Sequence, residues 1–449
     1  MKRVCMFVFN HCTNDSRVFK EAESLINAGY HVEVYALYKD GLQKKENRNG
    51  LIINRVELNP FHKRIFGRKK KQSNKNAVIS TPLQNSEQTT QQTKNQKTAK
   101  PATPELHWYK NNFLYKGMYN AFKSVLLSVY RPLTYYDFYR KTSRALKQSK
   151  PFDVYHAHDM NTLYAAYKAA KKHNAKLVYD SHELYVDRNK LQKPSVFYKF
   201  LSYRFEGYFA RKCDAVITVG EKIAELLQSR YRLKNKVYVV MNAPSKNIEE
   251  HHESRNNKLR EALNIPENYK LLIYTGGITF NRGLENLVRS LKFLPNMYLV
   301  MMGYGKESFK NTLIKIANEN NVADRFSYYG PVRPNEVTAY TQEADLGVAP
   351  IINACLSYYY CAPNKIFEYL LGGIPVVSSN FPEMEKIVKK NNIGTTFNPE
   401  KPESIAQAVK EIFSDEEKYK QMKANTKLAA EKYNWENEEQ KLLDIYKNL

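Results

Sequence analysis

Cys361-Ala-Pro-Asn364-Lys365-Ile-Phe-Glu368-Tyr-Leu-Leu-Gly-Gly373-Ile-Pro375-Val-Val377 reads as a loop, a short helix, a glycine stop and a buried strand. Pro363 suits a helix start, because its missing N–H has no partner to lose there. Ile366, Phe367, Leu370 and Leu371 recur at helical spacing and face a core. Gly372 and Gly373 stop the helix, and Pro375-Val-Val reopens an extended segment. The helix start offers unpaired backbone N–H groups beside Asn364 and Lys365, which makes it an anion site. Glu368 lies one turn on, where a carboxylate can take hydroxyl protons. A diphosphate followed by a ribose fits that order of groups.

Outward from this stretch, apolar runs alternate with helical patterns. Strands are expected at 270–275, 297–302, 325–329, 346–349, 375–378 and 394–397, with helices between them. That order predicts a doubly wound α/β domain over residues 242–430. It opens with Tyr274-Thr-Gly276-Gly277-Ile-Thr-Phe-Asn-Arg282-Gly283, a strand, a glycine turn and then a cation at a helix start. Glycines let a backbone approach phosphate closely, and a guanidinium can bind two phosphate oxygens.

The first half, residues 1–241, repeats the architecture. Strands are expected at 4–9, 31–37, 51–58, 153–156, 176–179, 214–219 and 236–241. The first strand–loop–helix lacks the Gly-x-Gly-x-x-Gly fingerprint of dinucleotide binding. Its loop carries Asp15 and Arg17 at the carboxyl end of the strand, where ligands bind in open α/β sheets. Helix capping is an equal alternative for Asp15. Ala157-His158-Asp159 and Asp180-Ser-His182-Glu183 leave two further strands and should line one crevice. The tail, from 416, reads as two helices broken near 433–435, the last one over residues 431–449.

The pattern collapses over residues 62–107. Lysine, asparagine, glutamine, threonine and serine dominate there, and the stretch cannot bury enough apolar surface to offset chain entropy. It is expected to be a disordered insertion. Residues 108–148 are basic and aromatic at roughly helical spacing. Such a segment suits a membrane interface or a helix pair packed on the domain.

The stretch around Glu368 resembles the signature of the group 1 (family 4) retaining glycosyltransferases, which have the two-Rossmann architecture called GT-B. The resemblance covers both halves but not residues 62–148. It implies that Glu368 holds ribose hydroxyls and that the backbone before it holds a diphosphate. The family pattern pairs this glutamate with another eight positions earlier, which meets the donor sugar. Tyr360 stands there instead. The family also offers Gly-Arg and then Lys-Gly near the first strand of the second domain. Here Arg282-Gly283 takes the Lys-Gly place, and Gly277 stands where the arginine is usual. Gly303-Tyr-Gly305 and Tyr329-Gly330-Pro-Val332 resemble two further nucleotide-contacting turns. By the same resemblance His158 is the catalytic candidate, and Asp15, Arg17, Asp180, His182 and Glu183 belong to the acceptor side. The last helix crosses back to the first domain.

The resemblance thus implies transfer of a hexose or N-acetylhexosamine from a UDP- or GDP-type donor to a glycan or lipid-linked acceptor, with retention, in surface polysaccharide or glycolipid synthesis. A nucleotide-sugar hydrolase or epimerase of the same fold, or a non-catalytic nucleotide-binding partner, is the alternative. No Asp-x-Asp occurs anywhere, so no metal and no cofactor are expected. The 449-residue chain has a formal net charge of +25. That balance suggests an anionic partner. The basic residues match no nucleic-acid module, which leaves a membrane surface. Five cysteines show no metal spacing or disulfide framework, as in a reducing compartment. No apolar run reaches the ~18 residues of a spanning helix. The expected place is the cytoplasm, peripheral at the inner face of the plasma membrane.

Overall fold

The computed structural model describes residues 1–58, 130–189, 194–246, 258–334 and 336–449. The chain forms two compact units, Met1–Leu58 with Tyr135–Leu449, and Asn59–Thr134. Of the second unit only 130–134, a helical stretch, falls among the described residues. The expected insertion at 62–107 and the first part of the basic aromatic segment therefore lie outside them.

The first unit holds two sheets. The first sheet is built from β1 (Arg3–Phe7), β2 (His31–Leu37), β3 (Lys45–Arg48), β4 (Leu51–Val56), β5 (Val154–His158), β6 (Lys176–Ser181), β7 (Ala215–Thr218) and β8 (Val237–Val239). Their order is β3-β4-β2-β1-β5-β6-β7-β8. The second sheet contains β9 (Lys270–Thr275), β10 (Met297–Met302), β11 (Phe326–Tyr329), β12 (Leu346–Ala349), β13 (Val376–Ser379) and β14 (Gly394–Phe397). Its order is β11-β10-β9-β12-β13-β14. Strands such as Val-Cys-Met-Phe in β1 and Leu-Leu-Ile-Tyr in β9 are buried on both faces, which is why they read as unbroken apolar runs.

All pairings are parallel except β3 with β4. That edge strand, Lys45-Glu-Asn-Arg48, has no apolar residue to announce it. Two strand ends also move relative to the sequence reading. His158 ends β5, and Asp180 and Ser181 lie within β6 rather than beyond it.

The order reverses between β1 and β5 in the first sheet and between β9 and β12 in the second. Such switch points open a crevice outside the carboxyl ends of the strands. The chain returns at its end. The Trp435–Lys447 helix packs Leu442 and Ile445 into the first-sheet core with Val18, Ala22 and Leu25. Trp435 Nε1 donates to Ser24 Oγ at 3.0 Å, and Tyr446 Oη lies 2.8 Å from His156 Nδ1. Among the described residues no helix is long and apolar enough to cross a membrane.

Candidate functional site

The β9 strand ends at Thr275 and turns at Gly276, whose φ of +115° suits only glycine. Gly303, after β10, has φ +148°, and a Cβ there would sit 2.0 Å from the Gly276 carbonyl oxygen. The two turns therefore meet backbone to backbone. A Cβ on Gly276 would lie 3.5 Å from Lys365 Nζ, so that ammonium sits directly against the Gly276 turn.

Lys365 stands in the first turn of the Asn364–Leu371 helix, which Pro363 opens with φ −73° and ψ 137°. Ile366, Phe367 and Leu370 anchor the helix in the core. The stretch that organises the sequence thus forms the expected helix. Lys365 is buried, with Nζ 4.9 Å from the Tyr274 ring centroid. Burial and the nearby Arg282 cation lower its pKa to about 8. Arg282 lies 4.7 Å over the Tyr358 ring, and its buried Nε has no hydrogen-bond partner among the described residues.

Glu368 is half-buried and accepts a hydrogen bond from Thr275 Oγ1 at 2.8 Å. Burial raises its pKa, with Thr275 and Lys365 opposing. Tyr369 ties the arrangement together, accepting from Thr275 N at 3.0 Å and donating to the Val348 carbonyl at 3.2 Å. Gly277 follows Gly276 in the turn and is exposed. Gly330 is exposed and Val332 half-buried, both beyond the end of β11. Gly276, Gly303, Lys365 and Glu368 are thus gathered at one sheet edge, with Arg282 close enough to act on Lys365.

Next to this edge is a cavity of about 480 Å3. Its walls include Asp15, His182 and Glu183 from the first half and Ser357, Cys361 and Asn364 from the second. Glu183 accepts from Ser357 Oγ at 3.2 Å, so the walls are hydrogen-bonded to each other. Asp15 caps the Ser16–Asn27 helix by accepting from Val18 N at 3.3 Å, and its other oxygen accepts from Asn10 Nδ2 at 2.7 Å.

Arg17 and Asp180, both expected on the acceptor side, are buried and paired with each other. Arg17 Nε and Nη2 donate to the two Asp180 oxygens at 2.7 and 2.8 Å, and Nη1 donates to the Val240 carbonyl at 2.8 Å. Glu21 Oε1 lies 3.0 Å from the same guanidinium. Their charges are therefore spent within the protein, although Arg17 still lines the cavity.

His158 is buried against this pair. Its Nδ1 lies 3.0 Å from His182 Nε2 and 3.4 Å from Asp180 Oδ2, and its ring stacks on His156 at 4.2 Å. Burial lowers the His158 pKa, which keeps it neutral. Burial also opposes a charge on His182, but Asp159 and Asp180 outweigh it and raise that pKa to about 10. His182 is thus a cation at neutral pH, and its Nε2 is within 3.0 Å of both His158 and Asp180. Donor atoms of Glu21, His156, His158 and Asp180 come within 4.8 Å of one another, a grouping that could hold a metal ion. The Arg17 guanidinium already bridges both of its carboxylates.

One residue escaped the sequence reading. Lys20, three residues after Arg17 on the same helix, donates to the Ala243 carbonyl at 2.6 Å and lies 4.7 Å over Trp435. Burial and Arg17 lower its pKa to about 7, and Glu368 lies within its field. Tyr360, in the place of the family's other glutamate, ends the Leu356–Tyr359 helix and packs against the first-domain core beside Leu356.

The family model of glycosyl transferases group 1 matches residues 255–429, and that of glycosyltransferase family 4 matches residues 106–243. A chitobiosyldiphosphodolichol beta-mannosyltransferase of Candida albicans is 26% identical over 270 residues, 56% of this chain and 57% of that protein. A D-inositol 3-phosphate glycosyltransferase of Xylanimonas cellulosilytica is 23% identical over 191 residues, 42% of this chain and 44% of that protein. The chain spans about half the length of the curated relatives it matches. Among solved structures, sucrose-phosphate synthase from Thermosynechococcus elongatus superposes with a TM-score of 0.70 at 14% identity, covering 100% of this chain and 99% of the other. Anabaena HepE, in complex with UDP, superposes with 0.69 at 12% identity over 100% of both chains. Two family models in tandem, on two sheets joined by a returning helix, give one answer: the chain belongs to the group 1 (family 4) glycosyltransferases and has their GT-B fold.

Proposed function

We propose that the protein moves a hexose or N-acetylhexosamine from a uridine or guanosine diphosphate sugar to a glycan or lipid-linked acceptor, with retention. The observation that carries this reading is the buried Lys365 ammonium, open to the Gly276 backbone, one turn before Glu368. Lys365, Arg282 and the N–H groups at the helix start would neutralise the diphosphate as it leaves. Glu368 would accept from the ribose hydroxyls, and Gly303, Gly330 and Val332 would border the nucleotide. Neutral His158, held by charged His182, would face the donor sugar, while Asp15, His182 and Glu183 would meet the acceptor.

The names of the relatives support a phosphorylated or lipid-linked acceptor, since one acts on inositol 3-phosphate and one on chitobiosyldiphosphodolichol. Retention is taken from the family resemblance. Tyr360 in place of a carboxylate favours one rival, a partner that binds nucleotide without transfer.

The test is a panel of nucleoside-diphosphate sugars incubated with the protein and candidate acceptors. One donor is expected to release nucleoside diphosphate and to give a glycosylated product of the donor's anomeric configuration by NMR. Release without product would support a hydrolase, and binding without release the inactive partner. Because the positive charge comes from side chains, turnover is expected to be unchanged in excess EDTA. Loss in EDTA with recovery on adding Mn²⁺ would overturn the metal-free reading.

A pH dependence also follows. Lys365 is held at about 8 when free. A bound diphosphate favours its charged form and raises that value. Donor affinity should therefore be full below pH 8, where Lys365 is already charged, and should fall as pH rises above it, with proton uptake on binding. Calorimetry in buffers of different ionisation enthalpy would register that uptake, and a flat affinity from pH 7 to 10 would contradict it.

A further inference from the structure

The Val196–Ala210 helix carries aromatic residues on both its buried and its exposed face. Its buried face carries Tyr198, Phe209 and Ala210 beside Ser202, Gly207 and the carboxylate of Glu206, which accepts from Tyr179 Oη at 2.6 Å and Tyr231 Oη at 2.7 Å. Its outer face carries Phe197, Phe200, Leu201 and Tyr208, exposed by 68%, 58%, 46% and 50%. Positions 197, 201, 204 and 208 follow helical spacing, so Arg204 falls within the same stripe. Arg211 and Lys212 continue it, also exposed. A surface helix of a soluble domain ordinarily keeps its apolar residues to the inner face. The stripe contains no acidic residue.

The neighbouring Met160–His173 helix, whose Tyr164 and Tyr167 meet the buried Phe209 at 5.8 and 5.0 Å, is itself rich in cations. Its Lys168, Lys171, Lys172 and His173 line a cavity of about 300 Å3. Aromatic rings with flanking arginine and lysine are the chemistry of the boundary between acyl chains and anionic headgroups.

From these features we infer that the Phe197–Tyr208 face is the surface on which the protein sits on an anionic lipid bilayer. This rests on the lipid-linked branch of the acceptor reading. The placement serves that branch. The helix follows directly on the cavity wall: Lys199 Nζ and Tyr203 Oη hold Asp187 at 2.9 and 2.5 Å, just beyond His182 and Glu183. A bilayer under Phe197 and Phe200 brings an embedded acceptor to the cavity.

The test is flotation of the full chain with vesicles of phosphatidylglycerol and phosphatidylcholine in equal parts, and with phosphatidylcholine alone. The wild type is expected to float with the mixed vesicles and less so at high salt. F197S/F200S should lower that affinity about tenfold or more, because two buried rings are lost. R204Q/K212Q should weaken binding and flatten its salt dependence. Neither pair touches the donor groups, so nucleoside diphosphate release in solution should be unchanged. The inference is overturned if F197S/F200S floats like the wild type. It is equally overturned if the wild type stays in solution and the substitution instead breaks a concentration-dependent dimer. Flotation without any donor turnover would leave the lipid surface standing and remove the transferase reading, so the two failures are distinguishable.

Discussion

Replacing Arg17 by alanine is expected to lower folding stability by about 3–5 kcal/mol, the usual cost of stripping one partner from a buried ion pair. Three groups lose their partner at once. Asp180 loses the two charge-assisted hydrogen bonds from Arg17 and keeps only its histidine neighbours, Glu21 loses its neighbouring cation and the Val240 carbonyl its donor. Asp180 is held well below the usual carboxylate range against its burial, first by Arg17 and then by His182. Without the guanidinium it would have to stay charged in a dry site or take up a proton. Arg17→Lys should recover only part of the loss, because an ammonium cannot make the forked contact. The midpoint of urea unfolding measures this directly. A change of less than about 1 kcal/mol would mean that the network carries little stability.

Glu368→Ala should leave the fold intact and weaken donor binding by about 1.5–3 kcal/mol, roughly tenfold to a hundredfold, the cost of losing a charged hydrogen-bond acceptor. Among the described residues its side chain accepts one hydrogen bond, from Thr275 Oγ1, at a half-buried position, so the folding cost is small by comparison. Lys365 would stay in place, and with it the diphosphate contact. The loss should therefore appear with a nucleoside diphosphate and disappear with pyrophosphate, which has no ribose. Calorimetry with both ligands checks the assignment. Equal loss for both would move Glu368 from the ribose to the phosphate.

Local signals made the second domain legible. The β9, β10, β12 and β14 strands are continuous apolar or small-residue runs between turns, and the reading places their ends to the residue. The helix at Asn364 announces itself by a proline before it, an apolar spacing within it and two glycines after it. What the sequence hides is pairing at a distance. Arg17 and Asp180 sit 163 positions apart, and nothing local says that they consume each other. Each alone looks like an open polar group at a strand end. The same holds for Glu206, whose two tyrosine partners lie 27 and 25 positions away, and which therefore points inward while Phe197 and Phe200 of the same helix are exposed. The β3 strand was invisible because an antiparallel edge needs no apolar residue.

The claim on which the rest depends is that the Gly276 turn, Lys365 and Glu368 hold the diphosphate and ribose of a donor. Crystals of the protein grown with UDP or GDP test it most directly. The diphosphate is expected against Lys365 Nζ and the backbone of Gly276 and Gly277, with the ribose hydroxyls on Glu368. Nucleotide bound with its ribose away from Glu368 and its phosphates away from Lys365, or no nucleotide bound at millimolar concentration, would contradict it.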